Sequence, residues 1–201
     1  ARLMTALEEH GALDRAVETL PTEAAIADLR ARGFGLTRPE IAVLLAYGKI
    51  DLFNGIVSGS LLDEPYFHER LVSYFPAGMR QGFASEIDGH RLRREIVATG
   101  LANDLVNRLG PSFVTVLRDA TGRNASAVTQ SFVAAADGFE IAELLRRIDA
   151  LDNALPGDAQ NELYAAISTF LQTVTVSLVR AGVEDIAQTV ASLQTHARDL
   201  R

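Results

Sequence analysis

The chain has 201 residues, of which 48% are hydrophobic and 22% charged, and it contains no cysteine. This composition supports a packed core rather than intrinsic disorder, and it excludes disulfides and thiol-ligated metals, as is usual in a reducing cytoplasm. The formal net charge of −7 makes the chain a poor candidate for binding nucleic acid or an anionic membrane surface. No run approaches eighteen consecutive apolar residues, so we expect no membrane-spanning helix.

Apolar residues recur at three- and four-residue steps along almost the whole chain, which predicts helices throughout. We find no alternating strand pattern and no Asn-Gly or Asp-Gly hairpin signal. The expected fold class is all-α, an irregular multi-helix bundle of about eight to ten helices, the last three long. In chain order the helices are predicted at residues 2–9, 22–32, 38–57, 64–74, 77–84, 86–109, 112–121, 124–152 (with Gly138 as a candidate break), 158–181 and 184–200.

The helix predicted at residues 38–57 has the clearest start signal. Thr37 and Glu40 have the spacing of a capping box, in which each side chain satisfies the backbone N–H of the other residue. Pro39 lies in the first turn, where its missing N–H costs nothing. Further helix starts are predicted at Thr22, Asn124 and Asp158.

The predicted helices form one helical domain over residues 1–201. A subdomain seam is expected near residue 122, between a short-helix part at 1–122 and a long-helix part at 123–201. The chain does not begin with methionine, so we expect it to be a fragment of a longer protein.

Nucleotide and metal sites find little support in the sequence. Gly33 and Gly35 form a G-x-G with no third glycine and no preceding strand, which indicates a turn after a helix rather than a dinucleotide site. No two of the four histidines have the spacing of metal ligands on a helix.

Two further enzymatic interpretations are also weak. The only lysine, Lys49, lies late in an apolar helix and is interpreted as a snorkelling side chain rather than a desolvated base. A helical hydrolase that uses Asp63, Glu64 and His68 has no second cluster of reactive residues to support it.

Residues 90–107 contain a more distinctive pattern of polar residues than the rest of the chain. In the helix predicted at 86–109, Leu101 and Leu105 belong to an apolar face and are predicted core residues. Asn103 and Asn107 follow Thr99 in a neighbouring polar row at four-residue steps. Because asparagine disfavours helix interiors, we expect these side chains to bond to specific groups.

The start of this helix is rich in arginine, and Arg91 and Arg94 lie on the face that later becomes apolar. Three interpretations stay open for this segment: a first turn that projects into water, docking to another domain or subunit, and a site for a small anion. The candidate docking residues are His90, Arg91, Arg93, Arg94, Asn103 and Asn107.

Several ordered motifs carry a resemblance to a known family. The longest are residues 13–21 (LDRAVETLP), 35–50 (GLTRPEIAVLLAYGKI) and 90–107 (HRLRREIVATGLANDLVN), and shorter ones are 74–76 (YFP), 121–122 (TG) and 148–152 (IDALD). Together they make residues 7–180 resemble the C-terminal helical region of the large bacterial NAD-specific glutamate dehydrogenases. The chain departs from the family pattern just before residues 148–152, where the family often carries a tryptophan and this chain has Arg146 and Arg147, and again after Gly182.

The resemblance implies a parent protein that oxidises L-glutamate to 2-oxoglutarate and ammonia while reducing NAD. In this family the catalytic lysines, the catalytic aspartate and the NAD-binding fold lie upstream. The resemblance therefore assigns no catalytic, cofactor-binding or metal residue here, and it predicts that the segment alone is inactive. We expect the segment to brace the upstream catalytic region of the same chain or to hold subunits together in a cytoplasmic homo-oligomer. The alternative is a free-standing helical adaptor or regulatory binding module.

Overall fold

The computed structural model describes residues 2–199, which form helices and loops without any strand. The all-α prediction is therefore confirmed for the described residues. Two 3₁₀ turns, Leu61–Asp63 and Pro65–Phe67, precede α4. The α-helices in chain order are α1 (Arg2–Glu9), α2 (Glu23–Ala31), α3 (Arg38–Val57), α4 (His68–Tyr74), α5 (Ala77–Arg80), α6 (Ala84–Asp88), α7 (Arg93–Leu109), α8 (Phe113–Thr121), α9 (Ala125–Gly138), α10 (Ile141–Asp149), α11 (Gly157–Ala181) and α12 (Ile186–Asp199).

Two of the predicted helices are each divided in the structure. The predicted helix at 86–109 is α6 followed by α7, and the intervening turn is held by His90, whose Nδ1 accepts the backbone N–H of Leu92 at 3.1 Å. The predicted helix at 124–152 is α9 followed by α10. The break falls at Glu140, whose φ of 52° is left-handed and cannot continue a right-handed helix. Gly138, the candidate break, is the last residue of α9, so the predicted segment at 124–152 is interrupted next to it and is not one long helix.

The main core is built around α9. Its neighbours are α3, α7, α8, α10, α11 and α12, and its largest buried side chain is Phe132, which is 2% exposed. Leu101 and Leu105 of α7 are 1% and 0% exposed, which confirms the apolar face predicted for that helix. The core contains residues from both sides of residue 122, and the subdomain seam stays a prediction.

A smaller apolar cluster joins α1, the loop after it, α2 and the first half of α3. Helix α3 connects the two clusters, because Leu44 packs in the small one whereas Leu52 and Ile56 pack in the main core. An ion pair links α1 to the loop that follows it, in which Arg15 Nε donates to Glu8 at 2.9 Å.

The capping box predicted at the start of α3 is present. The Glu40 carboxylate accepts the backbone N–H of Thr37 at 2.6 Å and the Thr37 hydroxyl at 2.7 Å. These hydrogen bonds stabilise the ionised carboxylate and lower the pKa of Glu40.

Helix α11 is the longest of the described helices, and much of it is uncovered. It contains an 18-residue window with a mean hydropathy of 1.3, of which only 17% is buried, so it is long and apolar enough to cross a membrane by length and composition alone. One such helix in residues 2–199 is weak evidence for a membrane, because mostly buried core helices of soluble proteins and signal sequences pass the same test. The sequence-based expectation of no membrane-spanning helix used a different criterion, a run of consecutive apolar residues. That expectation stays a prediction.

Candidate docking surface

The predicted docking residues at the start of α7 divide into two groups. Arg91 and Arg93 are exposed, whereas Arg94 is half-buried and turned towards α3. Its guanidinium pairs with Asp63 and donates to the carbonyl oxygens of Val57 at 3.0 Å and Gly59 at 2.6 Å. Arg94 therefore satisfies carbonyls at the C-terminal end of α3. This internal role was not predicted from the sequence.

His90 is half-buried, and its contacts are local. Besides its hydrogen bond to the Leu92 backbone, its ring packs edge-on against Phe75, with 5.6 Å between the centroids. These contacts fix the turn that aims the exposed Arg91 and the start of α7.

Asn103 and Asn107 share one partner, the ammonium group of Lys49 on α3. Lys49 Nζ donates to Asn103 Oδ1 at 2.9 Å and to Asn107 Oδ1 at 3.2 Å. The prediction that these asparagines bond to a specific group is thus confirmed, although the sequence did not identify Lys49 as that group. Thr99, the third member of the row, donates to the Glu95 carbonyl of its own helix at 2.7 Å.

The charge of Lys49 is not neutralised by a carboxylate among the described residues. Its two hydrogen-bond acceptors are neutral amides, and the Nδ2 atoms of Asn103 and Asn107 have no acceptor within residues 2–199. An ammonium group beside two amide donors is an arrangement that suits a carboxylate from outside the chain.

An apolar cleft of about 380 Å³ runs along the outer face of α7, and Asn103, one of the two asparagines bonded to Lys49, lines it. Tyr74 is 67% exposed and Leu92 is 50% exposed, and Ile96 completes the apolar wall. Gly100 lines the cleft, and outside its own helix backbone no atom lies within 4 Å of the position that a Cβ would occupy there. Another backbone can therefore approach α7 closely at this point.

These residues form one continuous surface along α7. The term "α7 docking surface" denotes Leu92, Glu95, Ile96, Thr99, Gly100, Asn103 and Asn107, together with Tyr74 on one flank and Lys49 on the other. Glu95 is the one carboxylate residue among these. Exposed apolar side chains occupy one end of it and donors without a carboxylate partner occupy the other. This combination is typical of a protein contact with a few charged anchors.

The residues of the hydrolase interpretation do meet in one cleft, of about 200 Å³. His68 Nε2 lies 2.6 Å from Asp88 Oδ1, and Asp63 pairs with Arg94. The described residues that line the cleft include no hydroxyl or thiol side chain. The geometry is that of exposed ion pairs rather than of an activated nucleophile.

Metal binding finds no support in the described part of the chain either. Residues 2–199 contain no group of three or more His, Asp or Glu side chains arranged to hold an ion.

The comparisons with known proteins all indicate the same family. The family model described as "Glutamate dehydrogenase, C-terminal" matches residues 33–201. The NAD-specific glutamate dehydrogenase of Pseudomonas aeruginosa is 41% identical over 159 residues, which are 79% of this chain and 10% of the relative. The proteins of the same name from Halomonas elongata and Mycobacterium tuberculosis are 33% and 38% identical, over 87% and 69% of this chain and 11% and 8% of the relatives. The chain thus spans about a tenth of the length of these relatives.

Proposed function

Because this chain belongs to the glutamate dehydrogenase C-terminal family, we propose that it is a non-catalytic domain that braces the catalytic region of a much longer enzyme. The activity proposed for that enzyme is the oxidation of L-glutamate to 2-oxoglutarate and ammonia with reduction of NAD. Hydride transfer requires a shaped cofactor site, and we assign NAD binding to the upstream part of the parent chain. The names of the relatives support NAD as the cofactor of the parent enzyme. This chain spans only about a tenth of the length of those relatives, which leaves most of the parent chain to hold the cofactor site.

The proposed contact with the upstream region uses the α7 docking surface. The observation that carries the proposal is the exposure of Tyr74 and Leu92 beside Gly100, next to an ammonium group whose charge no carboxylate of the described chain balances. Burial of the apolar side chains would supply most of the binding free energy. Lys49 at one end would select an acidic side chain on the partner. The exposed Arg91 and Arg93 lie beside the other end, at the start of α7, and would add positive charge there. We also propose that the parent enzyme is a cytoplasmic homo-oligomer.

The docking proposal is tested by filling the space at Gly100. We expect Gly100→Leu to leave the domain folded, since the new side chain meets open space and leucine favours helix more than glycine does. It should prevent the separately expressed domain from co-eluting with the upstream region. Gly157→Leu is a matched control, because Gly157 is also helical with open space around it and lies outside this surface. Equal binding by Gly100→Leu and the wild type would contradict the proposal.

Charge reversal at the start of α7 tests the same contact independently. Arg91→Glu with Arg93→Glu should loosen the assembly of the full-length enzyme while the domain keeps its thermal stability. Arg94 is unsuitable for this test because its reversal would remove the groups that hold the end of α3. Unchanged assembly and activity would favour the interpretation in which Arg91 and Arg93 only project into water.

The absence of chemistry in the domain is tested by an assay for NADH formation with L-glutamate. We expect no turnover from the 201-residue chain alone. Specific and stoichiometric turnover would show that catalytic residues lie within it.

A further inference from the structure

A second uncovered surface lies on α11 and shares no residue with the α7 docking surface. Its centre is a line of exposed residues at three- and four-residue steps, which puts them on one side of the helix. Leu163 and Phe170 flank this line and are each 40% exposed. The term "α11 strip" denotes Glu162, Ala166, Thr169, Thr173, Ser177 and Arg180.

The hydroxyl groups of the α11 strip are turned back onto the helix. Thr169 donates to the carbonyl of Ala165 at 2.9 Å, Thr173 to that of Thr169 at 2.9 Å and Ser177 to that of Thr173 at 3.0 Å. With these donors occupied, the strip presents methyl and methylene groups outwards. The side chains in the middle of the strip are short and mostly apolar on their outer side, so another helix can approach closely there.

Charged residues occur only at the two ends of the α11 strip. Between residues 159 and 181 the sequence contains Glu162 near the start of α11 and Arg180 near its end, and no other charged residue. They are eighteen residues apart, which corresponds to about five turns and about 27 Å along one line of the helix. Within residues 2–199 neither side chain forms an ion pair or a side-chain hydrogen bond.

This charge pattern is complementary to itself in one orientation. A copy of α11 laid alongside in the antiparallel direction places Glu162 of each copy opposite Arg180 of the other, and the uncharged middles face each other. A parallel copy would instead place like charges together at both ends. An antiparallel pair is related by a twofold axis, which is the commonest symmetry of protein dimers.

We propose that α11 pairs with α11 of a second copy of the chain, antiparallel, with Glu162 of each copy facing Arg180 of the other. This pairing would supply one interface of the homo-oligomer that is part of the proposed function, and to that extent it rests on the proposed function. Because no residue of the α7 docking surface takes part, the two contacts can fail separately.

Charge exchange distinguishes self-pairing from any other occupant of the strip. The chain supplies its own core, so its association can be followed alone by sedimentation equilibrium up to about 1 mM, where weak contacts become populated. We expect the wild type to dimerise, and both Glu162→Arg and Arg180→Glu to weaken dimerisation at least about tenfold. The double variant should restore it to within a few-fold, because the reversed charges again face each other.

Controls separate the specific contact from net charge and from helix stability. Glu184→Arg and Arg147→Glu make the same charge changes at exposed positions outside the α11 strip and should leave dimerisation unchanged. Since both reversals in the strip also oppose the helix dipole, the helicity and Tm of each variant are measured beside its association. A monomeric wild type, unaffected single variants or an unrestored double variant would each overturn the proposal.

Cross-linking tests the antiparallel direction itself. The chain lacks cysteine, so Glu162→Cys and Arg180→Cys each introduce one reactive thiol. A short bismaleimide should join the two variants when they are mixed, and neither variant alone, because identical ends of an antiparallel pair are about 27 Å apart. Cross-links within one variant alone would overturn the proposal. So would co-sedimentation of the wild type with vesicles of phosphatidylcholine and phosphatidylglycerol, because α11 would then be covered by lipid.

Discussion

Helices α9 and α11 are both apolar, but the chain covers them very differently. Ten of the fourteen residues of α9 are buried, whereas only Leu171, Thr175 and Val179 are buried among the twenty-five of α11. Helix α9 has neighbours on all sides and holds the main core together. Helix α11 contacts the core along one side and leaves the other uncovered.

The difference shows that apolar composition identifies a buried surface without identifying what buries it. For α9 the covering groups belong to the same chain. For α11 they are missing from the described chain, and the Glu162 and Arg180 pattern is what points to a second copy. Burial of the apolar surface of α9 therefore stabilises the folded chain. Burial of the apolar surface of α11 stabilises the association of two chains.

The largest expected effect comes from a matched pair of phenylalanines. Phe132 on α9 is 2% exposed and Phe170 on α11 is 40% exposed. We expect Phe132→Ala to lower the free energy of unfolding by about 3–5 kcal/mol because it leaves a cavity. Phe170→Ala should cost the monomer only about 1 kcal/mol, mainly the edge-on contact with Phe139. Urea denaturation at concentrations where the chain is monomeric measures both. Equal losses would mean that α11 is as deeply packed as α9.

A second test concerns how closely α9 packs. A Cβ on Gly138 would lie 2.7 Å from Leu193 Cβ on α12. We expect Gly138→Ala to lower the free energy of unfolding by about 1–3 kcal/mol, since the helices would have to separate. Thermal unfolding measures the loss. The Gly138→Ala Leu193→Gly double variant lacks the facing Cβ, so it should lose less than the sum of the losses of the two single variants. A single variant as stable as the wild type would show that α9 and α12 have room to adjust.

The sequence predicted the framework of the fold because its signals are local. The capping box of Thr37 and Glu40 and the apolar face with Leu101 and Leu105 depend on residues within a few turns of each other. The helix predicted at 86–109 is divided at a turn held by the hydrogen bond between His90 and the Leu92 backbone, and the break at Glu140 is a left-handed backbone conformation at a residue other than glycine. Neither feature changes the spacing of the apolar residues. Periodicity alone therefore joined helices that the structure separates.

The candidate site was predicted only in part for the same reason. Asn103 and Asn107 were identified as unusual inside a helix, but their partner lies more than fifty residues away on α3. Arg94 appeared equivalent to Arg91 in the sequence, and only the fold shows that it closes the end of α3. Tyr74 and Leu92 gave no signal, because their exposure is a property of the packed structure.

The smallest expected effect comes from two buried threonines, one on each helix. The Thr129 hydroxyl on α9 donates to the Ala125 carbonyl at 2.8 Å, whereas the Thr175 hydroxyl on α11 has no hydrogen-bond partner among the residues that the structure describes. Because valine has nearly the same shape as threonine, replacement removes the hydroxyl and little else. Thr129→Val should lower the free energy of unfolding by about 1 kcal/mol, and Thr175→Val should raise it by about the same amount, since an unsatisfied buried hydroxyl is removed. Paired urea denaturation curves would show midpoints that move in opposite directions. A lower free energy of unfolding for Thr175→Val would instead mean that the Thr175 hydroxyl has a hydrogen-bond partner in solution. Water would then reach the inner side of α11 more readily than that of α9.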